Sequence, residues 1–265
     1  MHRNKNKPQN GLGNGEKIIP ISLVNRALEE LTSRATAGAQ KQRKTKLDRL
    51  CNAVMDRNGK CGTVVRAMLE TGISIKEVFE VYIPDVARLL GDYWVNNKLS
   101  FIEVTLATSR LQTLARDFER LYIGSINSGT HGPEILLITP KGEQHTFGAQ
   151  MASRKFRRLG ASPYLSINHE KNEIKRILNK QNFKLVGLSI SNYKLCDRQS
   201  ELLATIAMIK KLKIPVVAGG SLVQCSSNFL KNLSVDLITD DAVHALSYFN
   251  INVSNNNCLL EPETI

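Results

Sequence analysis

Apolar residues recur every three or four positions through the first half of this chain, and gather into short unbroken runs through the second. The first period is that of an α-helix with one buried face; the second marks strands buried on both sides. Over 21–40 the pattern Leu23, Ala27, Leu28, Leu31, Ala35 predicts a modest helix. From 47 to 124 the whole stretch reads as helical. Leu47, Leu50 and Val54 are followed by Val64, Val65, Met68 and Leu69, and then by Val78, Val81, Tyr82, Val86, Leu89, Leu90 and Tyr93. Ser74 with Glu77, and Ser100 with Glu103, have the spacing of capping boxes that open helices. The second leads into Leu106, Leu111, Leu114, Phe118 and Leu121, and Pro84 predicts a kink or break inside the preceding segment. Closely linked helices of this kind predict a helical bundle.

The pattern changes after a Gly-, Ser- and Asn-containing linker at 125–133. Ile135–Thr139, Tyr164–Ile167, Leu185–Ile190, Ile214–Ala218 and Val235–Thr239 read as five strands. Helices are predicted between them over 148–159, 170–180 and 197–212, with a short one from Asp241. Strands alternating with helices predict an α/β domain with a doubly wound, five-stranded parallel sheet. The expected organisation is therefore a basic, flexible N-terminal arm with room for one helix over 1–46; a helical bundle over 47–124; the linker; an α/β domain over 134–249; and a loose tail over 250–265.

Charge changes this picture only at the N-terminus. The chain of 265 residues has a formal charge of +12. Residues 1–46 carry ten Lys and Arg against three acids, and their densest run is Lys41-Gln42-Arg43-Lys44-Thr45-Lys46. Such an arm attracts nucleic acid or an acidic partner, or is simply solvated. No helix-turn-helix or zinc-finger pattern accompanies it, so a specific DNA reader is not predicted. The five cysteines (Cys51, Cys61, Cys196, Cys225, Cys258) are scattered and never form C-x-x-C, which argues against a disulfide framework or a zinc site. No apolar run approaches a membrane span and the first residues lack a secretory signal, so a cytoplasmic location is expected.

Ligands of open parallel sheets bind outside the carboxyl ends of the strands, which directs attention to three loops. After the first strand comes Glu143-x-His145-x-x-Gly148. An imidazole is a good transition-metal donor, a carboxylate two residues away can take its second ring proton, and a glycine lets a flat ligand approach the backbone. Ser189 and Ser191 place hydroxyls after the third strand, and Gly219-Gly220 leaves a slot after the fourth. Asp197 and Asp240 are further candidates for the same edge, or helix caps.

In this order on one fold, these motifs resemble the cobalamin-binding domain family. Its pattern is D-x-H-x-x-G, then S-x-L or a similar S-x-S/T, then G-G; here Glu143 stands for the usual Asp. The resemblance implies a flavodoxin-like (Rossmann-like) domain holding cobalamin base-off, with His145 as the cobalt ligand. Glu143 would orient His145, and Gly148, Ser189, Ser191, Gly219 and Gly220 would line the groove for the nucleotide tail. Ile83–Trp94 and Leu99–Thr105 look like the helical cap of cobalamin-dependent regulators, which implies that Trp94, the sole tryptophan, lies over the upper corrin face. In the photoreceptor repressors of that group a Glu-His pair follows the tryptophan; Val104 and Thr105 stand at those positions here. His131 and His2 are sequence candidates for the upper face, while His169 and His244 read as surface residues.

The combination looks most like the AerR/PpaA type of cobalamin-binding antirepressor of photosynthesis genes. That resemblance implies a non-enzymatic sensor of adenosylcobalamin or hydroxocobalamin that acts by binding a transcriptional repressor rather than DNA; the basic arm is a candidate for contact with that repressor or with its operator DNA. The alternative is a corrinoid methyl-carrier protein of a methyltransferase system.

Overall fold

The computed structural model describes residues 21–124, 132–191, 199–221 and 232–253. It divides by internal contact into Met1–Arg49 and Leu50–Ile265. Within the first unit lies most of α1 (Ile21–Met55), a single helix that runs through the basic stretch. The sequence predicted a helix ending near Gln40. Lys, Arg, Gln and Ala are good helix formers and no proline interrupts them, so like-charge repulsion alone does not end the helix.

The second unit begins with a small helical assembly. It contains α2 (Cys61–Glu70), a short α3 (Ile75–Glu77), a π-helical turn over Val78–Tyr82, α4 (Ile83–Val95), α5 (Phe101–Asp117) and α6 (Glu119–Ile123). Its core gathers Leu50, Val54, Val65, Met68, Val86, Leu90, Leu111 and Leu114. Phe79 and Tyr122 stack inside it with ring centroids 4.2 Å apart. The full capping box forms at Ser100–Glu103, whereas Ser74 only accepts from the Glu77 backbone N–H. Pro84 does not break the segment. It falls in the first turn of α4, where its missing N–H costs nothing, and the widened π turn stands where a kink was expected. Arg110 donates to the carbonyls of Val54 and Met55, satisfying the end of α1.

The rest of the unit is a three-layer α/β fold. Strands β1 (Glu134–Thr139), β2 (Ser162–Ile167), β3 (Leu185–Ser189), β4 (Val216–Gly219) and β5 (Leu237–Ile238) pair entirely in parallel. Their order is β2-β1-β3-β4-β5, the flavodoxin-like order. On one face Leu136, Ile138, Val186, Leu188 and Val216 pack on α8 (Lys171–Lys180) and α9 (Gln199–Lys211). On the other, Ile135, Leu137, Leu185 and Val217 pack on α7 (Phe147–Arg158) and α10 (Ala242–Tyr248). β2 is two residues longer than the apolar run alone predicts, because Ser162 and Pro163 sit on an edge strand where one side of the backbone stays unpaired. β5 is shorter: at Asp236 the backbone N–H still donates to the Val216 carbonyl, but the carboxylate and not the backbone carbonyl accepts from the Val216 N–H. Among the described residues no helix is long and apolar enough to cross a membrane.

The end of β4 is tightly packed. Gly220 has φ +104°, and a Cβ there would lie 2.4 Å from the Ile190 carbonyl oxygen. Gly220→Ala is expected to cost about 2 kcal/mol or more of stability, since both strain and clash oppose it. A urea denaturation midpoint equal to that of the parent chain would contradict this.

Candidate functional site

The loop between β1 and α7 places Glu143 and His145 at the carboxyl edge of the sheet. The Glu143 side chain has no solvent exposure, whereas that of His145 is 59% exposed. One Glu143 oxygen accepts from the His145 ring Nδ1 at 2.7 Å and from the His145 backbone N–H at 2.9 Å. The other accepts from the backbone N–H of Ser191 at 2.8 Å, which ties the first loop to the end of β3. Ser191 thus contributes its backbone N–H here, in addition to the hydroxyl that sequence reasoning singled out.

Burial pushes the Glu143 carboxyl up, but the bonds from the His145 ring, the His145 backbone and Ser191 more than reverse this and hold it below the ordinary range. The hydrogen bond to Glu143 raises His145 above its ordinary value; burial opposes, and the Glu143 charge adds to the rise. An ionised carboxylate only accepts, so Nδ1 carries the proton and Nε2 is the free donor atom of the neutral ring. Nε2 has no hydrogen-bond partner among the described residues.

Behind this pair lies a cleft of about 450 Å³. Gly148, Ser189, Gly219 and Gly220 line it, with Leu137, Leu185 and Val217 of the sheet among its apolar walls. Gly148 is the second residue of α7, and a Cβ there would meet only Ser189 Oγ, at 3.9 Å. The position is therefore open toward the cleft, whereas Gly219 and Gly220 are packed against backbone. Asp240 also lines the cleft; Asp197 lies outside the described residues.

The structure thus brings seven of the predicted residues together around two connected features. Glu143, His145 and Ser191 form the hydrogen-bonded rim, and Gly148, Ser189 and Gly219-Gly220 form the cleft wall. Trp94 is not brought into the cleft: it is 46% exposed on the last turn of α4. At this exposure it is not a core residue either. Thr105, at one of the positions following Trp94, donates its hydroxyl to the Phe101 carbonyl. His169 bonds to Ser166 and His244 to Thr239; His2 and His131 lie outside the described residues. Among the described residues no three His, Cys, Asp or Glu side chains are grouped to hold a metal ion.

A second polar cluster was invisible in the sequence. Lys155 of α7 reaches the cleft between Asp241 at 3.0 Å and Glu80 of the π turn at 3.4 Å, and Tyr122 donates to Glu80 at 3.0 Å. Burial pulls the Lys155 ammonium down, but Glu80 and Asp241 outweigh it and the pKa rises above the ordinary lysine value. Arg157 and Arg158 add bonds from α7 to Glu119 and to the Tyr122 carbonyl. These partners lie far apart in the chain, and no local spacing announces them.

No family model matches the chain. It is 28% identical over 179 residues to an uncharacterized 20.5 kDa protein in the bchF-crtJ intergenic region of Rhodobacter capsulatus, spanning 68% of this chain and 93% of that protein. Among solved structures it is similar to the monomethylamine corrinoid protein of Methanosarcina barkeri, with a TM-score of 0.62 and 10% identity, over 77% of this chain and 97% of that one. At that identity the likeness is one of fold. A novel cobalamin-binding protein from Desulfitobacterium hafniense, 16% identical over 77% of this chain and 98% of its own, gives a TM-score of 0.40.

The pKa directions set a pH window for the Glu143–His145 pair. The histidine's contribution to stability is complete below its ordinary value and disappears as pH rises through the raised folded value. The glutamate's is complete above its ordinary value and is lost as pH falls through the lowered one. In Glu143→Gln the His145 pKa should fall toward 6.5, the ordinary value. An NMR titration of the ring protons checks this, and an unchanged midpoint would remove Glu143 as the cause.

Proposed function

We propose that this chain binds a corrinoid, with His145 Nε2 as the protein's donor to cobalt, and that it acts as a sensor read by a partner protein. The observation that carries the corrinoid part is the buried Glu143, which holds His145 by Nδ1 and leaves Nε2 unpartnered on the loop leading into the cleft wall. A metal held in a macrocycle would take a single donor from the protein, and a carboxylate on the far ring nitrogen fixes the tautomer and strengthens that donor. The fold shared with a corrinoid protein supports the same reading.

The residues divide the work. Glu143 keeps Nδ1 protonated so that Nε2 is the lone-pair nitrogen. Gly148 leaves α7 open toward the cleft, and the glycines after β4 keep its floor free of side chains. Ser189 offers a hydroxyl to polar groups of a ligand lying there. When bound, the corrinoid supplies a cobalt centre whose upper ligand can be exchanged. Because the raised His145 pKa favours imidazolium, ligation should weaken as pH falls through that value.

In the sensory reading the ligand is adenosylcobalamin or hydroxocobalamin, the cap over residues 50–124 contacts it differently in two states, and the partner is a transcriptional repressor. Trp94 supports an upper-face role only if α4 and α5 close on the ligand, since it is exposed here. The second reading, a methyl carrier serving a methyltransferase, is favoured by the fold likeness to the monomethylamine corrinoid protein.

The test is the visible spectrum of the purified chain after mixing with each cobalamin and removing free ligand, in the dark and after illumination. Retained corrinoid with a spectrum altered by His145→Ala is expected; an identical spectrum in the variant, or no retention, overturns the assignment. A light-dependent change favours the sensor, and turnover through methylcobalamin with a partner enzyme favours the carrier. Gly148→Leu should leave the melting temperature within a few degrees of the parent, because its Cβ meets nothing closer than 3.9 Å, yet lower corrinoid retention at least tenfold. Undiminished retention would separate the cleft from the binding site.

A further inference from the structure

Cobalt takes one ligand on each face of a corrin ring. A corrinoid held by His145 Nε2 therefore cannot be held on that face by the base of its own nucleotide tail as well, and the freed base needs a place to lie. The cleft behind the Glu143–His145 pair is deep enough to take it. Leu185 and Ser189 both line the cleft, and on β3 Leu185 stands four residues before Ser189. At about 3.3 Å per residue the cleft runs roughly 13 Å down the sheet from its carboxyl edge.

The inner wall of the cleft is carbon. Leu137, Leu185 and Val217 of the sheet, Phe156 of α7 and Ala245 of α10 line it, each at most 5% exposed and all in one apolar cluster. The strand backbones beneath offer nothing further, because β1, β3 and β4 are each paired on both sides. Polar side chains along the cleft are committed to one another. Lys155 lies between Asp241 and Glu80, and Thr239 Oγ1 accepts from the Asp241 backbone N–H and bonds to the His244 ring. Arg88 is paired with Asp85. Ser189, Ser221 and Asp240 follow the carboxyl ends of β3, β4 and β5, and so belong to the outer end of the cleft.

Benzimidazoles and purines are two classes of tail base. In both, one imidazole nitrogen bears the ribose and the other is the cobalt donor, so they differ in the fused six-membered ring. That ring is carbon with two methyl groups in dimethylbenzimidazole. In adenine it holds two ring nitrogens and an amine. Burying those three polar groups against a carbon wall leaves them without partners, whereas burying the methyls is favourable. We infer that the inner cleft selects the tail base of the corrinoid, accepting dimethylbenzimidazole and rejecting adenine, with Leu137, Phe156 and Val217 as the residues that set this specificity. This inference rests on the corrinoid reading and adds to it the class of corrinoid bound.

The experiment is equilibrium dialysis of the full chain against three corrinoids with the same upper ligand: cobalamin, its adenine-tailed analogue, and cobinamide, which has no nucleotide. Visible absorbance reports the bound fraction. Cobalamin should bind on the order of a hundredfold more tightly than the adenine-tailed analogue, the scale on which an apolar pocket rejects an added polar group. Adenine is the weaker donor to cobalt and leaves it more readily, so a preference for cobalamin has to come from the protein. Cobinamide, with no base to bury, should bind at least tenfold more weakly than cobalamin. Val217→Thr adds a hydroxyl at nearly constant volume and should lower the cobalamin-to-adenine ratio about tenfold, with the thermal melt checking the fold. Val217→Ala removes carbon without adding polarity and should weaken both corrinoids while leaving their ratio within about threefold. The inference is overturned, and the corrinoid reading stands, if cobalamin and the adenine-tailed analogue bind equally, if cobinamide binds as tightly as cobalamin, or if the two Val217 variants shift the ratio alike. Failure to retain any of the three overturns the corrinoid reading and this inference with it.

Discussion

A carboxylate buried at the end of a parallel sheet is costly unless both of its oxygens find donors, and Glu143 meets that demand with donors from two different loops. The backbone N–H of His145 closes the β1–α7 loop on itself, and that of Ser191 fastens the loop to the end of β3. The imidazole then has one orientation in which its own N–H is satisfied. A short side chain at position 143 would leave the loop without this anchor, and a neutral one would weaken its hold. The presentation of Nε2, the shape of the loop and the entrance to the cleft all descend from this one ionised group.

α7 links the site to the helical part of the chain. It starts two residues after His145, turns Gly148 and Phe156 toward the cleft, and sends Lys155, Arg157 and Arg158 to Glu80, Glu119 and the Tyr122 carbonyl. A rigid helix with the imidazole loop at one end and ion pairs to α6 and the π turn along its length ties both features to one body. Partly buried ion pairs of this type contribute modest net stability, but each half is costly to leave alone. They therefore fix where the helical layer rests more than how strongly it is held.

Much of this was legible in the sequence. Unbroken apolar runs such as Ile135–Ile138 and Leu185–Leu188 revealed strands buried on both faces, and their alternation with helices gave the parallel sheet. The glutamate and histidine two residues apart announced a bonded pair, because the loop between them is too short to keep them separate. The backbone N–H of Ser191 that holds Glu143 was not foreseen, since sequence displays hydroxyls and hides backbone N–H groups. Trp94 was expected near a ligand, but its position depends on how α4 is rotated, which helical period alone leaves open. Lys155 was missed altogether: an isolated lysine on an amphipathic helix looks solvated until Glu80 and Asp241 are folded against it. The extent of α1 was underestimated because charge was read as flexibility, although the same residues are good helix formers.

The π turn at Val78–Tyr82 has a consequence of its own. A π turn accommodates one residue more than an α-helix of the same height, and one residue corresponds to about 100° of rotation and 1.5 Å of advance along the axis. Glu80 faces Lys155 within this turn, and Pro84 and Arg88 follow along the cleft. The extra residue acts as a phase setting. It decides which side of α4 meets the α/β layer, and it allows the side chains before and after it to be aimed independently. Relaxation of the turn to α-helical bonding would convert a change of hydrogen-bond partner into a twist of everything that follows, including the tip that carries Trp94.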